Sequence, residues 1–170
     1  SVPVASFTIT KLRWLRDNFG AAEVATARWA GVDAYDLLSR EAEQAPVGCE
    51  GLIWLPYLMG ERAPILDPDA RGVLFGVTAR TDRAAVVRAI MEGVVYSLRD
   101  SVDIMRGQMG VPVGQVRASG GGARSALWRQ MQADVFGIEV VTPAVTEGPA
   151  YGVALLAAVG AGMYDSVEEA

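Results

Sequence analysis

A chain of 170 residues with 51% apolar and 21% charged positions can bury one real core but hardly two, and that composition excludes disorder as its main state. The net charge is −5, and the basic residues are all arginine except Lys11, in no basic cluster, which disfavours a nucleic-acid partner. The absence of histidine excludes Ser-His-Asp chemistry, His-ligated zinc and a His general base, and the single Cys49 excludes an internal disulfide and argues against a thiolate metal site. Any acid–base or metal work would fall to carboxylates.

Ser1–Ser6 lacks the basic region and apolar run of an export signal. The longest uncharged stretch, Gly148–Tyr164, falls short of the roughly 20 residues of a membrane span and is rich in Gly and Ala. The expectation is a cytoplasmic chain with no membrane partner, and a buried, closely packed helix over that stretch.

Phe7–Phe19 reads as a helix with Phe7, Leu12, Leu15 and Phe19 near one face and Gly20 as its stop. Ala21–Val32 is weakly patterned and reads as mostly irregular. Asp33 is placed to cap a helix through about Gln44, closed by Pro46. Gly51–Leu58 is compact, apolar and rich in aromatics, which predicts a buried strand interrupted at Pro56. Met59–Gly72 is a loop dense in Pro, Gly and charge, where Asp67 and Asp69 are expected to fix a turn and pair with Arg62 or Arg71. Val73–Thr78 predicts a second strand.

Asp82 is placed to cap the longest helix, about Arg83–Met109, whose Val87, Ile90, Val94, Leu98, Val102 and Met105 form an apolar stripe. Arg83, Arg88, Glu92, Arg99, Asp103 and Arg106 fall mostly off it and read as a solvated face. Next, Val116–Ser119 predicts a strand that ends in Gly120, Gly121 and Gly122, and a helical pattern through Leu127, Met131 and Val135 follows at once. Strand, glycine turn, helix is how α/β proteins bring bare backbone and a helix N-terminus up to a ligand. The segment matches neither GxGxxG nor GxxxxGK[ST]. A strand at Glu139–Thr142, a cap at Thr146–Glu147 and a helix over about Pro149–Gly162 complete the chain, and the β-α-β-α order predicts a parallel layer.

LPYLMGERAPILDPDARG (Leu55–Gly72), IMEGVVYSLRD (Ile90–Asp100), SGGGARSALWRQMQAD (Ser119–Asp134) and EGPAYGVALLAA (Glu147–Ala158) together resemble the FGGY carbohydrate kinases, nearest to the C-terminal domain of xylulokinases. The likeness runs from about Leu12 to Glu169. It implies one α/β domain of the actin-like, ribonuclease H-like type over residues 1–170, a mixed sheet flanked by helices. The domain would lack its first strands and the N-terminal sugar-binding domain.

The resemblance further implies ATP or ADP and Mg²⁺ as ligands and a small sugar as acceptor through the other domain, D-xylulose first and ribulose, gluconate or glycerol as alternatives. An actin-like interaction module with a vestigial nucleotide site stands as the competing reading. Carried over by position, Gly120, Gly121 and Gly122 would lie against the nucleotide, and Ser125 would bond it. Arg13 matches a position that reaches the nucleotide, within a stretch (Ile9–Asp17) that opens a helix beside the phosphates. Relatives carry Gly or Ala where this chain has Ile9 and Thr10, and many carry a polar residue at Ala85. The aspartate base has no counterpart here, so no catalytic residue and no metal ligand is assigned. Open sheet edges and apolar faces predict self-association, with a homodimer expected.

Overall fold

The computed structural model describes residues 8–63, 65–143, 149–167 and 169, with side chains from Lys11 onward except that of Pro149. Helix α1 (Thr8–Phe19) runs directly into α2 (Ala21–Ala30), with Gly20 between them at φ −99°. The weakly patterned stretch is therefore helical where an irregular segment was expected. Its alanines have the highest helix propensity, and that carries a helix without a strong apolar stripe. Asp33 caps α3 (Ala34–Ala42) as expected, its carboxylate accepting from Tyr35 N–H at 2.9 Å.

The chain then makes a left-handed turn in which Gly48, Cys49, Glu50 and Gly51 have φ of 77°, 48°, 54° and 89°. Strand β1 (Ile53–Leu55) pairs antiparallel with β2 (Val73–Phe75), with Ile53 opposite Phe75 and Leu55 opposite Val73. The predicted buried strand is one-sided: Trp54 points inward, whereas Ile53, Leu55, Val73 and Phe75 face out. In the intervening loop Asp67 does fix a turn, accepting from the N–H groups of Asp69 and Ala70. The expected arginine pairing gives way to backbone: Arg71 donates to the Pro68 and Ala70 carbonyls.

Helix α4 (Arg83–Gly107), capped by Asp82, is the centre of the core and packs on β1, α1, α3 and α5. Val87, Ile90, Val94 and Val102 are buried there with Leu15, Leu38, Trp54, Trp128 and Phe136. At Gly93 a Cβ would lie 2.2 Å from the Trp54 carbonyl oxygen, so helix and strand meet at a distance only glycine allows.

Arg83, Asp103 and Arg106 are exposed on α4 as a solvated face predicts, but Arg88 and Glu92 correct that expectation. Arg88 and Glu92 are buried and paired at 2.7 Å. Arg88 also donates to the Ala42 and Ala45 carbonyls at the end of α3, and Glu92 accepts from Gly48 N–H in the left-handed turn. Arg83 joins four helices, donating to Glu23 of α2, Glu41 of α3 and the Phe19 carbonyl at the end of α1. The i, i+4 spacing of Arg88 and Glu92 is the same for a surface pair, so only the packing of α3 over them separates the two cases.

Strand β3 (Gln115–Arg117) and β4 (Glu139–Val141) pair in parallel across α5 (Ala126–Phe136), as the β-α-β order predicted. Among the described residues the strands form two separate two-stranded sheets, in place of one mixed sheet. Helix α6 (Pro149–Gly160) corrects a further expectation, because it is not buried: Val153 is 65% and Leu156 58% exposed. It is apolar all round. The predicted cap at Thr146–Glu147 lies outside them.

Candidate functional site at the glycine turn

Parallel pairing of β3 with β4 carries on one residue beyond the strand, where Ala118 N–H donates to the Val141 carbonyl at 2.8 Å. The chain then breaks away at Gly120, with φ 81° and ψ −172°, a conformation essentially reserved for glycine. Residues Gly121–Arg124 form one 3-10 turn, in which Ala123 N–H donates to Gly120 O at 3.1 Å and Ser125 N–H to Gly122 O at 3.2 Å. The sequence pattern placed the helix immediately after the glycines; this turn comes between, and α5 begins at Ala126.

Among the described residues, nothing in the packing requires the second and third glycines. Neither has positive φ; a Cβ on Gly121 would meet nothing within 4 Å, and one on Gly122 only the Trp128 indole at 3.7 Å. Their N–H groups donate to no acceptor among the described residues. Bare backbone with open donors therefore faces open space at the start of a helical turn, the arrangement that suits an anionic or acceptor-rich ligand.

Ser125 ends the 3-10 turn and caps α5. Its Oγ accepts from Trp128 N–H at 3.2 Å and lies 3.1 Å from Oγ of Ser39 on α3. Arg129, one turn into α5, donates to the Ala123 carbonyl and, at 3.4 Å, to that of Arg124. Those carbonyls are thus held toward the helix. Arg124 is exposed.

Gly120, Gly121, Gly122 and Ser125 thus share one turn. Arg13 does not join them: it is exposed on α1, which packs on α2, α3 and α4, and no hydrogen bond or ion pair ties it to the turn among the described residues. The side chains of Ile9 and Thr10 lie outside the described residues. Ser39 and Arg129 were not singled out in the sequence. Ser39 is 86 residues from Ser125, and nothing local marks it. Arg129 stands four residues after Ser125, a spacing that could have been read as capping.

A second depression of about 650 Å³ opens between α1, α2 and α3, lined by Arg16, Asp17, Val24, Ala27, Arg28 and Asp33. Of its two arginines, Arg16 is engaged, bonded to Asp17 at 2.7 Å and lying over the Tyr35 ring at 5.2 Å. Among the described residues no group of three potential donors is placed to hold a metal ion. Burial, reinforced by the Glu92 charge, pushes the Cys49 thiol up to about 12, so it is no nucleophile at neutral pH. No helix among the described residues is long and apolar enough to cross a membrane.

Comparison with known proteins places this geometry. Residues 5–161 match the model of the C-terminal domain of the FGGY family of carbohydrate kinases. A gluconokinase of Bacillus licheniformis is 42% identical over 92% of this chain, which spans 31% of that protein. Among solved structures, a ligand-bound xylulose kinase from Lactobacillus acidophilus superimposes with a TM-score of 0.76 at 29% identity, over 94% of this chain and 30% of that one. A Plasmodium falciparum glycerol kinase with ADP does so with a TM-score of 0.74 at 26% identity, over 95% of this chain and 30% of that one. The chain thus spans about 30% of the relatives it matches. The α/β arrangement of helices and small sheets is that of the C-terminal domain of these kinases, and the chain belongs to the FGGY family of carbohydrate kinases.

Proposed function

We propose that this chain is the nucleotide-binding part of an ATP-dependent sugar kinase, with an actin-like, ribonuclease H-like fold. In this reading the sugar-binding domain and the first strands of the sheet belong to the portion of the relatives that the chain does not span. The observation that carries it is the pair of open N–H groups at Gly121 and Gly122, on backbone no Cβ screens, at the head of a turn that leads into α5.

In this reading Gly120 turns the chain, Gly121 and Gly122 bond the nucleotide through main-chain N–H groups, and Ser125 adds a side-chain bond. The N-terminal end of α5 contributes a field for negative charge worth about 0.3–1 kcal/mol where exposed. ATP supplies the transferable phosphoryl group, and Mg²⁺ enters on its phosphates, since the described residues hold no donor cluster of their own. The base that takes the sugar hydroxyl proton belongs to the other domain. Arg13 serves the nucleotide only if that domain and α1 close on it together. The setting is the cytoplasm, and the exposed apolar sheet face and α6 support a homodimer.

D-xylulose, giving xylulose 5-phosphate, is the first acceptor in this reading. Gluconate is the second, favoured by the 42% identity to a gluconokinase. A non-catalytic module that keeps only a vestigial site is disfavoured by the intact, uncovered turn.

Gly121→Asp tests the site by placing a carboxylate where the phosphates would lie. In the full-length polypeptide the variant should fold with the wild-type circular dichroism spectrum and show no measurable ADP affinity by calorimetry. Wild-type affinity in a folded variant would overturn the nucleotide reading.

A further inference from the structure

Ser125 bonds two groups, and capping explains only one of them. Its oxygen accepts from Trp128 N–H at 3.2 Å, the ordinary cap of α5, and lies 3.1 Å from the Ser39 hydroxyl, which comes from a different helix. Both side chains are half-buried, so water competes weakly for this bond.

A serine hydroxyl carries one proton and two lone pairs. One lone pair of Ser125 is committed to Trp128, which leaves two ways to arrange the bond to Ser39. If Ser125 donates, its proton is spent on Ser39 and only a lone pair faces the turn. A phosphate oxygen, a ribose oxygen acting as acceptor or a ring nitrogen would then meet a lone pair with a lone pair. If Ser39 donates, both lone pairs of Ser125 are filled and its own proton must point elsewhere, toward an acceptor in the open space of the turn. Ser39 can take the donor role, because its hydroxyl makes no other hydrogen bond among the described residues.

We infer that Ser39 is a positioning residue for the nucleotide: it donates to Ser125, so that Ser125 offers its own proton to an acceptor atom of the ligand. This role rests on the reading of the glycine turn as the nucleotide site. It is a precise use of α3, which packs on α1, α2 and α4 and so gives Ser39 a rigid base. The chain Ser39 to Ser125 to ligand also polarises in one direction, each donated bond strengthening the next.

The test is steady-state kinetics on the full-length polypeptide, with ATP and sugar varied separately. Ser39→Ala should raise KM for ATP by up to about three-fold, because Ser125 keeps its proton for the ligand and loses only the partner that fixes its direction. It should leave kcat and KM for the sugar unchanged and lower the melting temperature by no more than a few degrees. Ser39→Thr, which keeps the hydroxyl, should restore the wild-type KM for ATP. In a Ser125→Ala background Ser39→Ala should add no further loss, since there is then no hydroxyl to position.

An unchanged KM for ATP in Ser39→Ala, beside a raised one in Ser125→Ala, would overturn the inference and leave the nucleotide site standing. So would a Ser39→Ala loss that persists in full without Ser125, or one that Ser39→Thr fails to restore. If Gly121→Asp and Ser125→Ala both leave the KM for ATP untouched, the nucleotide reading falls and the role of Ser39 falls with it.

Discussion

Gly93 and Gly121 mark two regions where the backbone is bare, for opposite reasons. At the junction of α4 and β1 a Cβ on Gly93 would sit 2.2 Å from the Trp54 carbonyl oxygen, so the glycine is dictated by what the chain itself has put there. At the turn between β3 and α5 a Cβ on Gly121 would meet nothing within 4 Å, and its φ is not positive. The first glycine is explained by packing. No contact among the described residues explains the second, and its N–H donates to none of them, which is why the proposed site is placed there. A crowded glycine speaks of architecture, and an uncrowded one with open N–H groups points outward.

The architectural region should break most sharply at Glu92. Glu92→Ala leaves the Arg88 guanidinium buried without its anion and removes the acceptor of Gly48 N–H. That N–H opens a turn in which Cys49 and Glu50 are left-handed without being glycine, at a cost of roughly 1–2 kcal/mol per residue. Breaking a buried pair from one side costs about 3–5 kcal/mol, and urea unfolding should show it. The thiol gives a second readout. Burial first, then the Glu92 charge, holds Cys49 at about 12 against an ordinary 9.0. The neutral thiol therefore favours the folded state below about pH 9, and that contribution is lost as the pH rises toward 12. Iodoacetamide at pH 8 should label wild-type Cys49 very slowly and the variant much faster. Equal labelling would mean that Glu92 does not secure this turn.

Gly93→Ala comes next. The added methyl must drive β1 away from α4, carrying β2 with it through the Ile53–Phe75 and Leu55–Val73 pairs. Overpacking of this kind costs about 1–3 kcal/mol, and because the contact is to backbone it belongs at the upper end. Thermal melting should fall by several degrees while the nucleotide affinity of the folded fraction stays put. An unchanged melting temperature would show that β1 is free to shift.

The two regions also differed in how much of them could be read from sequence. The α4 stripe and the Asp33 and Asp82 caps are local signals, and they survive folding because a cap needs only the two or three residues after it. The burial of Arg88 and Glu92 is not local. It is decided by α3 and the turn after it, more than forty positions away. Helix α2 was missed because alanine makes a helix without a pattern, and α6 was misjudged because composition cannot say what lies alongside. At the site the legibility runs the other way. The three consecutive glycines stood out at once and Ser125, three residues on, came with the family resemblance, while Ser39 was invisible because only the packing of α3 brings it to Ser125.

Gly121→Ala is the smallest perturbation and the one that divides the two regions most cleanly. It is the same substitution as at Gly93, at a residue without positive φ and with no atom of the described residues within 4 Å of the new methyl. Replacing glycine where the backbone already suits alanine restricts the unfolded chain, so the folded state should hold its stability or gain about 0.4–1 kcal/mol. The methyl would nonetheless project from the backbone whose N–H groups are open, between them and any ligand that approaches. ADP titration should therefore show weakened binding in a protein that melts no lower than wild type. A lower melting temperature with unchanged ADP affinity would make Gly121 another Gly93, kept for contacts within the protein, and the distinction between the crowded and the uncrowded glycine would no longer identify a site.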